Sequence, residues 1–450
     1  MTDAPDTRPS VAVLGSDLAA TVALARLREA DVETVALRST SRDLSALWGG
    51  LGWVWGPVSE RPTSSAGCIG PTDAAEPNVR RERSDRWERL LERRPYHPYR
   101  RLGLDLDAVD ELTESGADDL GEASLVRDVE HTLPGPYGEP AFPDLVAESA
   151  RALVLQADDE LGVVACPALD DWRASRVAER VGRAESITAR VVELAPFDEV
   201  AGGHAVRVAT RLTEQLPDGG ESLANRAADL VEEHGLDIVG LPPCLGASPD
   251  EHARLSDGLD AALDIRWGEW PAARHPVHGW RLDRSRRDRD HDAADHWIET
   301  DDWSLIADGD SITAVETGTD KPCEVDAVIL ATGGWLEGGL PASAPLCEPA
   351  TGAPLWLDGQ PISNPDEQFV PNLLDDRPWD DHALFRAGIG IDDQCRPLGP
   401  DGEAVHDNAF AAGRGLAGFN RIHDDCTMGV QLVSGRVAAD CAFDQMRVKE

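Results

Sequence analysis

The 450-residue sequence contains almost no lysine: only Lys321 and Lys449 occur, and arginine supplies the rest of its 42 basic residues. Acidic residues number 83, so the formal net charge is -41 at pH 7. This sign of charge argues against nucleic-acid binding, because phosphate groups would be repelled. The carboxylates are dispersed along the chain, which favours a halophile's hydrated surface over a local site for cations or basic partners.

The sequence also lacks long apolar runs and closely paired cysteines. No stretch of 18 or more apolar residues occurs, and the N-terminus has no basic segment before an apolar one, so neither a membrane span nor a signal peptide is predicted. None of the eight cysteines forms a C-x-x-C motif, which argues against a cysteine-ligated cluster or structural zinc. We expect a cytosolic chain with free thiols and no metal.

A dinucleotide-binding fingerprint near the N-terminus is incomplete. Residues 11–26 read VAVLGSDLAATVALAR, the pattern of a strand, a tight turn and a helix. Such a unit normally carries G-x-G-x-x-G, so that backbone can approach a pyrophosphate. Here Gly15 is present, but Asp17 and Ala20 stand at the second and third glycine positions. A carboxylate at Asp17 is expected to face the pyrophosphate and repel it.

Two later segments complete the pattern of a doubly wound sheet. VDAVILATGG (325–334) is an apolar strand that ends in Thr332 and Gly333, and AVHDNAFAAG (404–413) is a strand and turn before a long small-residue helix. Because ligands of open α/β sheets bind beyond the carboxyl ends of the strands, these pieces predict a flavin site together with the Gly15 turn. The fold class expected is α/β, with a doubly wound, Rossmann-like flavoprotein fold and an inserted second α/β domain.

The middle of the chain alternates strands and helices. Strands are predicted at 161–169, 187–194 and 236–246, and helices at 170–182, 221–235 and 248–263. Ser248 and Glu251 form a capping box that begins the last of these helices, and Pro249 takes its first helical position. We predict that 1–130 and 300–450 form the flavin-binding domain and that 131–299 forms an inserted domain that covers the cofactor.

The candidate flavin-contacting residues lie in the turns of this first domain and at the start of the last helix. They are Gly15, Ser16, Asp17, Arg38, Gly49, Gly50, Thr332, Gly333, Gly413, Gly418, Met428 and Gly429. Arg38 ends the second strand, where an acid that binds ribose is expected. Asp17 and Arg38 therefore favour FMN over FAD, which remains the alternative, and an empty vestigial site is the competing interpretation.

Candidate catalytic residues are Arg421 and His423 in FNRIHDD, just before the last helix. They could face a substrate anion or a quinoid carbonyl, or they could serve the structure alone. His97 in PYHPYR could donate a proton, but we expect a surface-loop histidine packed between prolines.

Four segments carry a resemblance that covers nearly the whole chain. They are HPYRRLG (97–103), LPPCLGAS (241–248), VILATGGWLEGGL (328–340) and IGIDDQCRPLGPDGEAVHDNAFAAGRGLAGF (389–419). The sequence resembles the B subunits of three-subunit anaerobic glycerol-3-phosphate dehydrogenases, in a haloarchaeal version. The resemblance implies an FMN flavoprotein of the succinate dehydrogenase and fumarate reductase group. It also implies an FAD-bearing A subunit and an iron–sulfur C subunit as partners.

By the same resemblance, the complex oxidises sn-glycerol 3-phosphate to dihydroxyacetone phosphate and passes electrons to membrane quinone. The chain would then be cytoplasmic and peripheral at the inner face of the membrane, held there by its complex. In the wider fumarate reductase group the arginine matching Arg421 meets a substrate carboxylate. Three roles stay open: a flavin-containing subunit, a flavin-less structural subunit of the same complex, or an independent fumarate-reductase-like flavin oxidoreductase.

Overall fold

A computed structural model gives the fold of most of the chain. It describes residues 10–39, 83–120, 148–169, 172–184, 187–216, 218–270, 277–300, 302–318, 321–336, 338–377, 380–424 and 426–449, with four two-residue strands between 126 and 146.

The strands of the described residues are numbered in chain order. They are β1 Ser10–Leu14, β2 Glu33–Arg38, β3 Val126–Arg127, β4 Leu133–Pro134, β5 Pro140–Ala141, β6 Leu145–Val146, β7 Glu160–Val164, β8 Thr188–Val192, β9 Ile238–Leu241, β10 Arg266–Glu269, β11 His296–Glu299, β12 Ser304–Asp308, β13 Ser311–Glu316, β14 Cys323–Glu324, β15 Ala327–Leu330, β16 Leu355–Leu357, β17 Gln360–Pro361, β18 Gly388–Ile389 and β19 Ala409–Ala411.

The α-helices are numbered in the same way. They are α1 Leu18–Glu29, α2 Arg83–Arg93, α3 Pro98–Arg101, α4 Leu106–Asp119, α5 Glu148–Arg151, α6 Ala174–Ala184, α7 Ala205–Glu214, α8 Glu221–His234, α9 Pro249–Ala262, α10 Val277–Ala293 and α11 Thr427–Lys449.

A five-stranded parallel sheet, in the order β11-β2-β1-β15-β19, forms the first core. Side chains of β1 alternate between its two faces: Val11 and Val13 pack with α1 and α11, whereas Ala12 and Leu14 pack on the other side. Helices α1 and α11 cross closely, because a Cβ on Gly435 would lie 2.5 Å from the carbonyl oxygen of Ala19. The predicted Rossmann-like α/β class is confirmed.

The middle of the chain builds a second parallel sheet, in the order β10-β9-β7-β8, with its own hydrophobic core. The predicted capping box at Ser248 and Glu251 is present and begins α9. Strands β7, β8 and β9 are shorter than predicted, because their apolar runs continue into the turns at the carboxyl edge of the sheet.

The predicted division at 131 and 299 stays a proposal. Strand β11 pairs with β2, so the last residues of the range 131–299 belong to the first sheet. Helix α10, which precedes β11, packs against α1 of that sheet. Within the described ranges, the structure contains no helix with the length and hydropathy that a membrane crossing requires.

Candidate functional site

The three predicted turns meet at the carboxyl edge of the first sheet. Strands β1, β15 and β19 lie side by side, so Gly15, Gly333 and Gly413 follow neighbouring parallel strands. All three glycines have positive φ angles, of 118°, 88° and 85°. This convergence is the crevice in which open α/β sheets bind ligands.

Gly15 allows the first turn to pass directly over β15. A Cβ at this residue would lie 2.1 Å from the carbonyl oxygen of Ala331. The amide of Gly15 donates to the carbonyl of Leu37 at 2.9 Å, and the amide of Asp17 donates to that of Ala331 at 3.3 Å. Only glycine fits here, which explains why this glycine is present although the other two of the motif are not.

The side chain of Asp17 caps the N-terminus of α1. Its side chain is buried, with 1% of its surface exposed, and it is the N-cap of the helix. Oδ1 accepts a hydrogen bond from the amide of Leu18 at 2.7 Å, and Oδ2 accepts one from the amide of Arg414 at 2.7 Å. The carboxylate therefore takes the place where this fold usually holds a ligand's pyrophosphate.

Arg38 stands at the end of β2, as predicted, but its side chain serves a buried ionic network. It donates to the carbonyl of Gly15, and its Nη2 donates to Oδ2 of Asp290 in α10 at 2.6 Å. Burial lowers the pKa of Arg38 to about 10, while Asp290 opposes that shift. Arg286 bonds the same Asp290 oxygen at 2.8 Å. Charged side chains of the protein thus fill the region next to Asp17.

A cavity of about 230 Å³ lies beside the Gly15 turn. Its described lining includes Gly15, Ser16, Leu37, Trp303, Thr332 and Glu348. Three of these residues, Gly15, Ser16 and Thr332, belong to the predicted cofactor set. None of the described lining residues carries a positive charge.

Glu348 is a lining residue that the sequence analysis missed. It is fully buried, and its Oε2 accepts hydrogen bonds from the amides of Ala350 and Thr351 at 3.0 and 2.7 Å. Burial raises the pKa of Glu348 above its ordinary value, although these bonds act against the shift. The sequence did mark this residue out, because Glu348 is the only charged residue between 338 and 357 in a strongly acidic chain.

Arg421 directs its guanidinium at main-chain carbonyl oxygens. Nε donates to Arg414, and Nη1 donates to Phe385 at 2.8 Å and to Ala387 at 3.2 Å. Nη2 donates to Ala387 at 3.2 Å and to Leu416 at 3.1 Å. These five hydrogen bonds equal in number the N–H groups of a guanidinium. The geometry gives Arg421 a loop-positioning role, and its contact with a substrate stays a prediction.

His423 and His97 lie in different surroundings. His423 is half-buried, and its Nε2 lies 3.2 Å from the carbonyl oxygen of Asp380. The expectation of a surface loop was wrong for His97, which is fully buried, with Nε2 3.4 Å from the Cys426 sulfur. The ring packs against its neighbour Tyr99 and against Phe419, and the contacts with Phe419 and Cys426 join distant segments that no local pattern predicts.

The contacts of the other described residues in the predicted cofactor set are with the protein's own backbone and apolar side chains. Gly418 has a φ of 94°, and a Cβ there would lie 2.1 Å from the carbonyl oxygen of Tyr96. Met428 packs in a small apolar cluster with Leu18, and Gly429 is buried within α11. The remaining pair, Gly49 and Gly50, lies outside the described residues.

An FAD-type dinucleotide does not fit the described residues. The carboxylate of Asp17 already caps α1, and the Arg38–Asp290 pair stands where the ribose acid is expected. The cavity of about 230 Å³ is also smaller than the roughly 300–1,000 Å³ of most ligand pockets.

Comparison with known proteins supports the resemblance noted in the sequence. The chain is 28% identical over 375 residues to a protein named as the probable B subunit of an anaerobic glycerol-3-phosphate dehydrogenase, from two strains of Halobacterium salinarum. The matched region covers 77% of this chain and 82% of the relative. No protein-family model matches the chain.

Two solved structures are also among those to which the chain is similar. One is the 3-ketosteroid delta1-dehydrogenase of Sterolibacterium denitrificans, at 12% identity and a TM-score of 0.43, covering 97% of this chain and 100% of that chain. The other is a flavocytochrome c3 fumarate reductase in its open conformation, at 10% identity and a TM-score of 0.41, covering 98% and 79% of the two chains.

Proposed function

We propose that this chain is the B subunit of an oxidoreductase complex of the anaerobic glycerol-3-phosphate dehydrogenase type. The alignment of 375 residues with a relative of that name is the observation that carries the proposal. The complex would oxidise sn-glycerol 3-phosphate to dihydroxyacetone phosphate and pass the electrons to quinone. An FAD-bearing A subunit and an iron–sulfur C subunit would be its partners. The chain itself would be cytoplasmic and reach the membrane only through them.

Within that complex, we propose that the chain serves assembly and does not hold FAD. The buried carboxylate of Asp17, bonded to the amides of Leu18 and Arg414, supports this role. A ligand phosphate at the same place would meet a fixed negative charge with little water between them. Oxidation of the substrate would then belong to a partner subunit.

An FMN-bearing subunit is the second candidate. The convergence of the Gly15, Gly333 and Gly413 turns favours it, because this arrangement is the ligand crevice of the fold. FMN has no adenosine half, so it would not compete with the Arg38–Asp290 pair. Its single phosphate would still need a site other than the N-terminus of α1.

Purification of the tagged chain from its host, in high salt throughout, tests membership of the complex. We expect glycerol-3-phosphate-dependent reduction of a quinone analogue to co-purify with the tag, and the separately produced chain to be inactive. An equally acidic, unrelated protein with the same tag is the control. A chain that purifies alone from the host, without this activity, would contradict the proposal. Fumarate-reductase activity of the chain alone would instead favour an independent enzyme.

A further inference from the structure

The cavity beside the Gly15 turn is lined by two buried polar atoms that have no hydrogen-bond partner. Thr332 is 9% exposed, and its Oγ1 has no hydrogen-bond partner in the structure. Glu348 is 0% exposed, and its Oε1 has none either. Both residues line the cavity. Buried polar atoms are nearly always hydrogen-bonded in native proteins. These two oxygens therefore indicate a bound molecule that supplies their hydrogen bonds.

The charges of the described lining residues disfavour an anion. No described lining residue is cationic, and Glu348 contributes a carboxyl group. The neighbouring N-terminus of α1, which could otherwise attract an anion, is capped by Asp17. A phosphate or carboxylate ligand would therefore lose its hydration without gaining a positive partner.

A cation fits the same lining poorly. Oε2 of Glu348 is already occupied by the Ala350 amide and by the amide and hydroxyl of Thr351. Besides Oε1 of Glu348, the described lining offers only the hydroxyls of Thr332, Ser16 and Ser39, among apolar walls that include Leu37 and Pro349. A calcium or magnesium ion takes about six or more oxygen ligands, with carboxylates prominent among them, so one carboxyl oxygen and three hydroxyls serve it poorly.

A hydroxyl group matches what remains. It donates and accepts, so it can pair with the Thr332 hydroxyl and with either protonation state of Glu348. The half-buried indole of Trp303 offers a flat apolar wall against which the C–H face of a sugar can pack. A cavity of about 230 Å³ limits the ligand to a small molecule.

We propose that this cavity binds a small, uncharged, polyhydroxylated molecule about the size of a pentose, held by hydrogen bonds to Thr332 and Glu348. This site is independent of the proposed place of the chain in a dehydrogenase complex. It requires no flavin and no partner subunit.

Ligand-observed saturation-transfer NMR in molar KCl tests the site, with D-ribose as the probe and D-ribose 5-phosphate as its charged counterpart. The test variant is Thr332→Val, which removes a hydroxyl that bonds nothing within the protein. The matched control is Thr21→Val, because Thr21 also has a buried, unpartnered hydroxyl but does not line this cavity. Thr332→Ser keeps the hydroxyl and serves as the rescue variant.

We expect D-ribose to bind the wild type, Thr21→Val and Thr332→Ser alike. Thr332→Val should weaken binding about tenfold, the effect of one lost hydrogen bond, with an unchanged melting temperature. The phosphate ester should bind at least about tenfold more weakly than ribose, because none of the described lining residues is cationic. The proposal is overturned if ribose does not bind the wild type, if Thr332→Val binds as the wild type does, or if the phosphate ester binds as well as ribose.

Discussion

The carboxylate of Asp17 joins the N-terminus of α1 to the turn at Arg414, 397 residues further along the chain. One oxygen accepts from the amide of Leu18 and the other from the amide of Arg414, each at 2.7 Å. Gly413 makes this approach possible, since a Cβ there would lie 2.4 Å from Oδ2 of Asp17. Related folds bind a pyrophosphate at this turn. Here the carboxylate of Asp17 accepts the hydrogen bonds of the amides instead.

Replacing Asp17 by Asn should therefore destabilise the fold. The amide keeps one acceptor for Leu18 but places an NH₂ group against the amide of Arg414, so a buried donor loses its partner. We expect a loss of about 1–3 kcal/mol in the free energy of unfolding, measured by urea denaturation at constant high KCl. Asp105→Asn is the control, because Asp105 is an exposed N-cap and Asn caps equally well. Equal losses in the two variants would contradict this account of Asp17.

The buried pair of Arg38 and Asp290 predicts a larger effect. Their side chains are 5% and 0% exposed, so removing Arg38 takes from the buried Asp290 one of its two guanidinium partners and leaves it only Arg286. Arg38→Met should cost about 2–4 kcal/mol of unfolding free energy, and molar KCl should not reduce this cost. The double variant with Asp290→Asn should lose less than the sum of the two single losses.

Arg183 and Glu179 provide the matched surface pair, with side chains 76% and 58% exposed. Breaking that pair should cost less than about 1 kcal/mol. Additive losses for Arg38 and Asp290 would show that they do not act as a pair.

Gly15→Ala should destabilise the fold far more than Gly235→Ala, although both glycines have positive φ angles. At Gly235, φ is 61° and nothing lies within 4 Å of an added Cβ, so Gly235→Ala should cost only about 1–2 kcal/mol from conformation. At Gly15 the added Cβ would lie 2.1 Å from the Ala331 carbonyl oxygen, which requires the β1 and β15 ends to separate. Thermal melting of both variants checks this difference, and similar melting temperatures would refute it.

Stability should decline with acid partly through His97. Burial and the nearby Arg94 lower the pKa of His97 from 6.5 to about 3. The unfolded chain therefore binds this proton below pH 6.5 whereas the folded chain does not, so stability is full above pH 6.5 and falls towards pH 3. The slope is about 1.4 kcal/mol per pH unit for this one group.

The variant His97→Asn isolates the effect, because the other titrating groups cancel in the comparison with the wild type. We expect its unfolding free energy to change less steeply between pH 6 and 4, by about 1.4 kcal/mol per unit. His252, whose pKa burial lowers to about 4, should keep its own contribution in that variant. Identical slopes for wild type and variant would contradict the prediction.

Local patterns predicted many elements of this fold and the glycines of its turns, but not helices α7 and α10 or strand β10. Gly15, Thr332 and Gly413 follow apolar strands, and this short-range signal sufficed to place them at one sheet edge. The partners of Asp17 and Arg38 were not predictable, because Arg414 and Asp290 come from remote segments. The burial of His97 was missed for the same reason: its contact with Cys426 spans 329 residues.

The visible absorption spectrum of the purified chain, kept in high salt and then titrated with FAD and with FMN, tests the central claim most directly. That claim is that Asp17 has taken the place of a ligand phosphate at the N-terminus of α1. The account predicts a colourless protein that takes up no FAD at stoichiometric concentration. A chain that carries FAD as purified, or binds it one to one, would contradict the account, because the phosphate would then share its site with a buried carboxylate.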